Sequence, residues 1–128
     1  MVPGNLHYTK THEWASLQGD IVTVGITQFA AGQLTDITYI DLPAVGKQVK
    51  AGESCGNVET VKAVSDLYSP VTGEVVEQNT GLTSDAGPLT GDPYGAGWLF
   101  RVRVSGPEAL AALLAPADYQ KQIESEAH

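Results

Sequence analysis

Apolar residues recur along most of this chain with the two-residue period of half-buried strands. The β-branched run Ile21-Val22-Thr23-Val24-Gly25-Ile26 follows a Gln18-Gly19-Asp20 turn signal. With the extended stretch 6–17, where Trp14 and Leu17 are available for packing, it predicts a first hairpin over about 6–26. Thr27 then caps a short helical segment, residues 28–34, in which Phe29, Ala30 and Leu34 share a face and Gly32 limits the length. Alternation returns over 36–42. Thr38, Ile40 and Leu42 point one way, Ile37, Tyr39 and Asp41 the other, until Pro43 stops the strand. Further short strands are expected around 48–50, 55–61, 66–68 and 73–78, with turn signals between them.

Residues 79–97, with five glycines, two prolines and few apolar positions, read as a long surface loop. Trp98, Phe100, Val102 and Val104 then alternate with Leu99, Arg101 and Arg103, which predicts a strand with one buried and one basic face. Trp98 and Phe100 are expected in the core. Two helices close the chain over about 106–125. Pro107 opens the first, with Leu110, Leu113 and Leu114 as its stripe, and Pro116 opens the second, through Tyr119 and Ile123. The elements predict a mainly β fold, a flattened barrel or sandwich, with a short helix after the first hairpin and two C-terminal helices against one sheet.

Composition narrows the class. At 128 residues the chain is long enough for one core and too short for two, so residues 1–128 read as a single domain. An apolar fraction of 42% and a charged fraction of 17% are globular values. The net charge of −8 argues against nucleic acid or anionic lipid as a partner, because phosphates demand a basic patch. One cysteine precludes an internal disulfide, and no Cys/His cluster offers zinc four ligands. There is no apolar run near membrane-spanning length, and the opening MVPGNLHYTK is polar rather than signal-like. A cytoplasmic bacterial protein is expected, with the mature form of an imported mitochondrial matrix protein as the alternative.

Catalytic chemistry finds no foothold. Gly52-Glu53-Ser54-Cys55-Gly56 matches G-x-S-x-G, but that motif works on a strand-to-helix turn with a histidine downstream. No helix follows here, and the only downstream histidine is His128 at the terminus. Cys55 reads as a small buried hydrophobe in a strand. His7 and His12 lack a carboxylate cluster with which to bind metal, and no dinucleotide, Walker or EF-hand pattern occurs. No acid/base/nucleophile set emerges, so the chain reads as a non-enzyme. What stands out is a single lysine in Glu59-Thr60-Val61-Lys62-Ala63-Val64, approached by Gly46, Gly52 and Gly56 and left through Ser69-Pro70 to Gly73. Strands on either side put it at a turn, projecting into water as an acylatable amine.

The ordered set Val45-Gly46, Glu59-x-x-Lys62 and Ser69-Pro70-x-x-Gly73-x-Val75 resembles the biotinyl/lipoyl carrier domains. The resemblance is nearest to the H proteins of the glycine cleavage system. It includes His12-Glu13-Trp14, Gly25-Ile26-Thr27, Ile40-Asp41-Leu42-Pro43, ETVKA at 59–63, SPVTGEV at 69–75, NTGL at 79–82 and PYGAGW at 93–98. Biotin carriers have methionines flanking the lysine; Val61 and Ala63 stand there instead. The family often has Ser at the position of Thr60 and Gly at that of Thr35.

The resemblance implies a barrel-sandwich hybrid fold with lipoate in amide linkage on Lys62, and Glu59, Thr60, Val61 and Ala63 as the recognition segment of the lipoate-attaching enzyme. Lysine stem plus acyl chain is roughly a dozen bonds, on the order of 10–15 Å of reach. The implied role is to carry an aminomethyl group and reducing equivalents, in glycine catabolism and one-carbon metabolism, between three enzymes. These are the glycine decarboxylase (P protein), the aminomethyltransferase (T protein) and the dihydrolipoamide dehydrogenase (L protein). A lipoyl or biotinyl carrier module of another complex is the alternative. The resemblance further implies a cleft for the loaded arm at Thr11, Glu13, Ile26 and Asp66, with the two carboxylates holding the amine. From the residues alone, Glu13 and Asp66 read as solvated charges and Trp14 as hairpin core.

Overall fold

Two antiparallel sheets enclose the core. The computed structural model describes residues 3–126, so His128 lies outside the described residues. The strands are β1 (His7–Tyr8), β2 (Glu13–Gln18), β3 (Ile21–Ile26), β4 (Ile37–Asp41), β5 (Gln48–Val49), β6 (Ser54–Thr60), β7 (Val64–Tyr68), β8 (Gly73–Gln78) and β9 (Phe100–Arg103). The larger sheet runs β1-β2-β3-β9-β8-β5 and the smaller β4-β6-β7. The first hairpin forms as its sequence predicts, turning at Gly19 in the left-handed region (φ 65°). Val22, Val102 and Val75 pair across three adjacent strands and are fully buried; Ile40 and Val58 of the smaller sheet face them as part of the same core. The sheets form an open sandwich of the expected kind, not a closed barrel.

Two glycines mark where backbone and side chains come closest. A Cβ on Gly73 would lie 2.0 Å from the carbonyl oxygen of Arg103, so β8 and β9 could not approach as they do with any other residue there. At Gly25, paired with Trp14, a Cβ would meet the indole ring at 2.5 Å. The ring thus lies flat across β3, and its Nε1 donates to the Pro93 carbonyl at 2.9 Å.

α1 (Gln28–Ala31) starts where expected, with the Thr27 hydroxyl accepting from the Ala30 N–H, and Gly32 ends it sooner than the apolar spacing suggested.

Three expectations are corrected. Residues 79–97 are not a surface loop: they contain α2 (Gly81–Ser84) and α3 (Gly87–Gly91), which insert Leu82 and Leu89 into the core. The Asn79 amide closes the segment by donating to the carbonyls of Ala96 (2.9 Å) and Trp98 (2.7 Å). Helices of four and five residues show no 3.6-residue period, and this hid them.

The first C-terminal helix is only a 3-10 turn, Pro107–Leu110, because the backbone of Leu114 is drawn into an extended bridge with Tyr8. The two amides exchange hydrogen bonds of 2.9 and 2.7 Å. The second helix forms as α4 (Pro116–Glu126), anchored by Tyr119 stacked on Tyr8 with ring centroids 4.6 Å apart.

Finally, Leu99 is buried while Trp98 is half-buried, its ring covered by the Arg101 guanidinium at 4.0 Å. The alternation of β9 therefore starts at Phe100, and Trp98 belongs to the basic side. Among the described residues no helix is long and apolar enough to cross a membrane.

The packing of Leu89 gives a direct check on residues 79–97. Leu89→Ala leaves a cavity in a fully buried site and is expected to lower unfolding free energy by about 2–5 kcal/mol in denaturant melts. A loss below about 0.5 kcal/mol, the range of surface substitutions, would return this segment to a surface loop.

Candidate functional site

Lys62 sits where β6 turns into β7, in the three-residue link Val61-Lys62-Ala63. The three backbone N–H groups of this link and the Ala63 carbonyl are all hydrogen-bonded. The Thr60 N–H donates to the Ala63 carbonyl at 2.8 Å, and the Thr60 hydroxyl accepts from the N–H groups of Lys62 (3.3 Å) and Ala63 (3.2 Å). From outside the hairpin, the Asp36 carbonyl accepts from the Val61 N–H at 3.2 Å. Asp36 achieves this in the left-handed region (φ 54°), which aspartate tolerates better than most residues. The turn is thereby fixed at both ends while the side chain of Lys62 stands exposed, with no ion pair among the described residues. Of the expected recognition residues, Thr60, Val61 and Ala63 share this turn with the lysine, and Glu59 is half-buried on the strand below it.

A cleft of about 220 Å³ opens between the two sheets beside this hairpin. Thr11, Glu13, Ile26 and Asp66 all line it; Lys62 does not. Ile26, Ala30, Leu34, Val58 and Leu67 supply an apolar wall, with His12, Gln33 and Ser65 completing the lining. Sequence reasoning missed these additional residues. Val58 and Leu67 were legible only as strand positions, and Ala30 and Leu34 only as a helix face.

Glu13 is the unusual group. It is 2% exposed, so the reading of it as a solvated charge is wrong. The turn 9–12, with His12 in the left-handed region (φ 73°), brings the hydroxyls of Thr9 (2.6 Å) and Thr11 onto one carboxylate oxygen. The Tyr68 N–H reaches the other at 3.4 Å. Burial raises the pKa of the carboxyl above the ordinary value of 4.5, and these hydrogen bonds act against the rise without cancelling it. Asp66, by contrast, is exposed, and it reaches the cleft from β7, the edge strand of the smaller sheet.

One relay behind the cleft was not visible in the sequence. The Tyr119 hydroxyl lies 2.7 Å from His12 Nδ1 and 2.6 Å from Thr27 Oγ1, and His12 Nε2 is 3.1 Å from Glu126. The C-terminal helix is thus bonded to the turn that orients Glu13 and to the cap beside Ile26. The other candidates carry no chemistry. Cys55 is buried, its thiol pushed up to about 11 by burial and donating to the Leu67 carbonyl at 3.5 Å. Ser54 opens a strand rather than a strand-to-helix turn. Among the described residues no group of three or more His, Cys, Asp or Glu side chains could hold a metal ion.

The family model described as glycine cleavage H-protein matches residues 6–126. A glycine cleavage system H protein of Rubrobacter xylanophilus is 51% identical over 98% of this chain and 97% of its own. One of Xanthomonas campestris is 49% identical over 99% of this chain and 98% of its own. The crystal structure of a glycine cleavage system H protein from Mycobacterium marinum superposes with a TM-score of 0.87 at 42% identity, covering 95% of this chain and 98% of that one.

The raised pKa of Glu13 carries a pH dependence with a definite sign. The folded state holds this proton more tightly than the unfolded state, so the stabilisation is fully present below 4.5 and is lost as pH rises through the folded value. Glu13→Gln keeps size and acceptor oxygen but removes the charge. Its Tm is expected to match the wild type near about pH 4 and to exceed it at about pH 8. A difference in Tm that stays constant over that range would contradict the assignment.

Proposed function

The chain belongs to the glycine cleavage H-protein family, and on that premise we propose that it is a lipoyl carrier without an active site of its own, lipoate being held in amide linkage on Lys62. In this reading the whole chain acts as one carrier domain. It moves aminomethyl groups and reducing equivalents between the glycine decarboxylase, the aminomethyltransferase and the dihydrolipoamide dehydrogenase. The observation that carries the reading is the exposed lysine at the tip of the β6–β7 hairpin, on a turn whose own N–H groups are all hydrogen-bonded. The bacterial relatives support a bacterial, cytoplasmic setting.

The residues present fit such a group. When bound, lipoate supplies a sulfur able to carry a one-carbon unit and a two-electron dithiol–disulfide couple. Lys62 supplies the tether, which keeps the arm's far end at high effective concentration around any docked partner. Asp66 lies four residues beyond the lysine, at most about 13 Å away at a strand rise of ~3.3 Å per residue. That separation falls within the arm's reach, on the order of 10–15 Å. Ile26, Leu34, Val58 and Leu67 offer the cleft an apolar wall that excludes water. Glu13 offers a carboxylate with little solvent around it, so a cationic amine brought beside it restores the charge balance that burial upsets. We assign Glu13 and Asp66 to that amine, Thr11 to orienting Glu13 and Ile26 to the wall.

Two measurements test this. Loaded with lipoate, the wild type is expected to stimulate glycine decarboxylation by the decarboxylase, and Lys62→Arg to abolish the stimulation; activity retained in the variant would overturn the carrier role. Glu13→Ala is expected to shorten the half-life of aminomethyl cargo on the isolated loaded protein by about tenfold, the effect of losing roughly 1.4 kcal/mol of charge-assisted hydrogen bonding. An unchanged half-life would remove Glu13 from the amine site.

A further inference from the structure

Among the described residues the exposed large apolar side chains are Tyr39, Val45, Val61 and Val64, and three of these four lie on the smaller sheet or in its Lys62 turn. The register of the smaller sheet assembles them. Tyr39 of β4 pairs with Glu59 of β6, which pairs with Val64 of β7, so their side chains form one row on the face turned away from buried Ile40 and Val58. The neighbouring row is Asp41 and Asn57, with Asp66 beside them on the edge strand, where it also borders the cleft. Val61 stands at the tip, next to the lysine. The three strands carry three carboxylates and no Lys or Arg, and from residue 51 to residue 100 Lys62 is the only basic side chain. An acidic sheet face that also leaves Tyr39 at 55%, Val61 at 64% and Val64 at 59% exposure forgoes burial at positions where a polar residue would serve solvation better.

We propose that this outer face of β4-β6-β7 is the docking surface of the enzyme that acylates Lys62, and that the partner meets it with an apolar patch framed by basic side chains. The inference rests on the reading of Lys62 as the attachment point. Reach selects this partner over those that use the loaded arm. For loading, the uncharged Nζ attacks the carbonyl carbon of an activated acyl donor, a thioester or a mixed anhydride. The C–N bond forms, the bond to the leaving sulfur or oxygen breaks and takes the electron pair, and the nitrogen gives up a proton to a base. The carbonyl must come within about 3–3.5 Å of Nζ. The loading enzyme therefore has to close over the hairpin itself, and Val64 lies only two residues from the lysine. Enzymes acting at the far end of the arm work on the order of 10–15 Å from its root and have no need to touch this row. Asp41 and Glu59 supply charge that steers a basic partner and fixes its register, while Tyr39, Val61 and Val64 supply the area it desolvates.

The test is steady-state acylation of the unmodified protein by a purified ATP-dependent lipoate–protein ligase with lipoate, followed by intact mass. Tyr39→Ser combined with Val64→Ser is expected to raise KM for the protein about tenfold with kcat within about twofold, the pattern of a lost docking contact. Tyr39→Phe keeps the apolar area and restores KM. Asp41→Asn with Glu59→Gln raises KM by about threefold and flattens the salt dependence of kcat/KM. Val45→Ser, an exposed apolar residue outside the three strands, leaves KM unchanged. All these positions except half-buried Glu59 are exposed, and thermal melts confirm that each variant is folded. A wild type acylated on Lys62 together with an unchanged KM in the Tyr39/Val64 double variant overturns the surface and leaves the lysine reading standing. A wild type that the ligase does not acylate on Lys62 overturns both.

Discussion

Thr60 and Asp36 together pin the turn that carries Lys62, and the exposure of that lysine depends on them. A tight link between two strands normally leaves amide and carbonyl groups seeking partners, and a lysine placed there would be recruited to satisfy them or be held by a neighbouring carboxylate. Here one threonine meets the N–H groups of residues 62 and 63 and the carbonyl of Ala63, and the carbonyl of Asp36 holds Val61 from the adjoining segment. The backbone of the turn is pinned and the lysine side chain is left exposed. Below the turn, Val58 and Ile40 fasten the hairpin to the core, so the root of the proposed lipoyl arm is anchored there.

The opposite electrostatic choice is made at Glu13. Glu13 is buried at a cost that shows in its raised pKa, and three separate segments converge to hold it: the 9–12 turn, the end of β7 and, through His12 and Tyr119, the C-terminal helix. A buried carboxylate without a cationic partner is poorly balanced. Lys62, exposed at the hairpin tip, and Glu13, enclosed in the cleft, are the two groups on which the proposed carrier role draws, one to present the arm and the other to shelter its cargo.

Much of this was legible in the sequence because the strands are short, half-buried and bounded by strong turn signals. Ile21–Ile26 and Gly73–Gln78 fall where alternation and glycine placed them, and the lysine turn follows from two strands meeting around Val61-Lys62-Ala63. The failures have a common physical cause: long-range contacts overrode local pattern. Leu114 left a plausible helical stripe for a bridge to Tyr8, Leu82 and Leu89 were drawn into the core from a glycine-rich segment, and Trp98 turned outward to stack under Arg101. The cleft was legible only through family resemblance. Nothing in the run His12-Glu13-Trp14 tells a solvated glutamate from one enclosed by threonines at 9 and 11 and by a strand more than fifty residues further on.

Site-resolved mass spectrometry of the protein, after incubation with lipoate, ATP and a lipoate-attaching enzyme, asks whether Lys62 alone is modified. The chain offers five lysines, Lys10, Lys47, Lys50, Lys62 and Lys121, each of them exposed, so exposure alone would spread the label among them. One lipoyl group per chain is expected, all of it on Lys62. Label distributed over several lysines, or absent from Lys62, would contradict it.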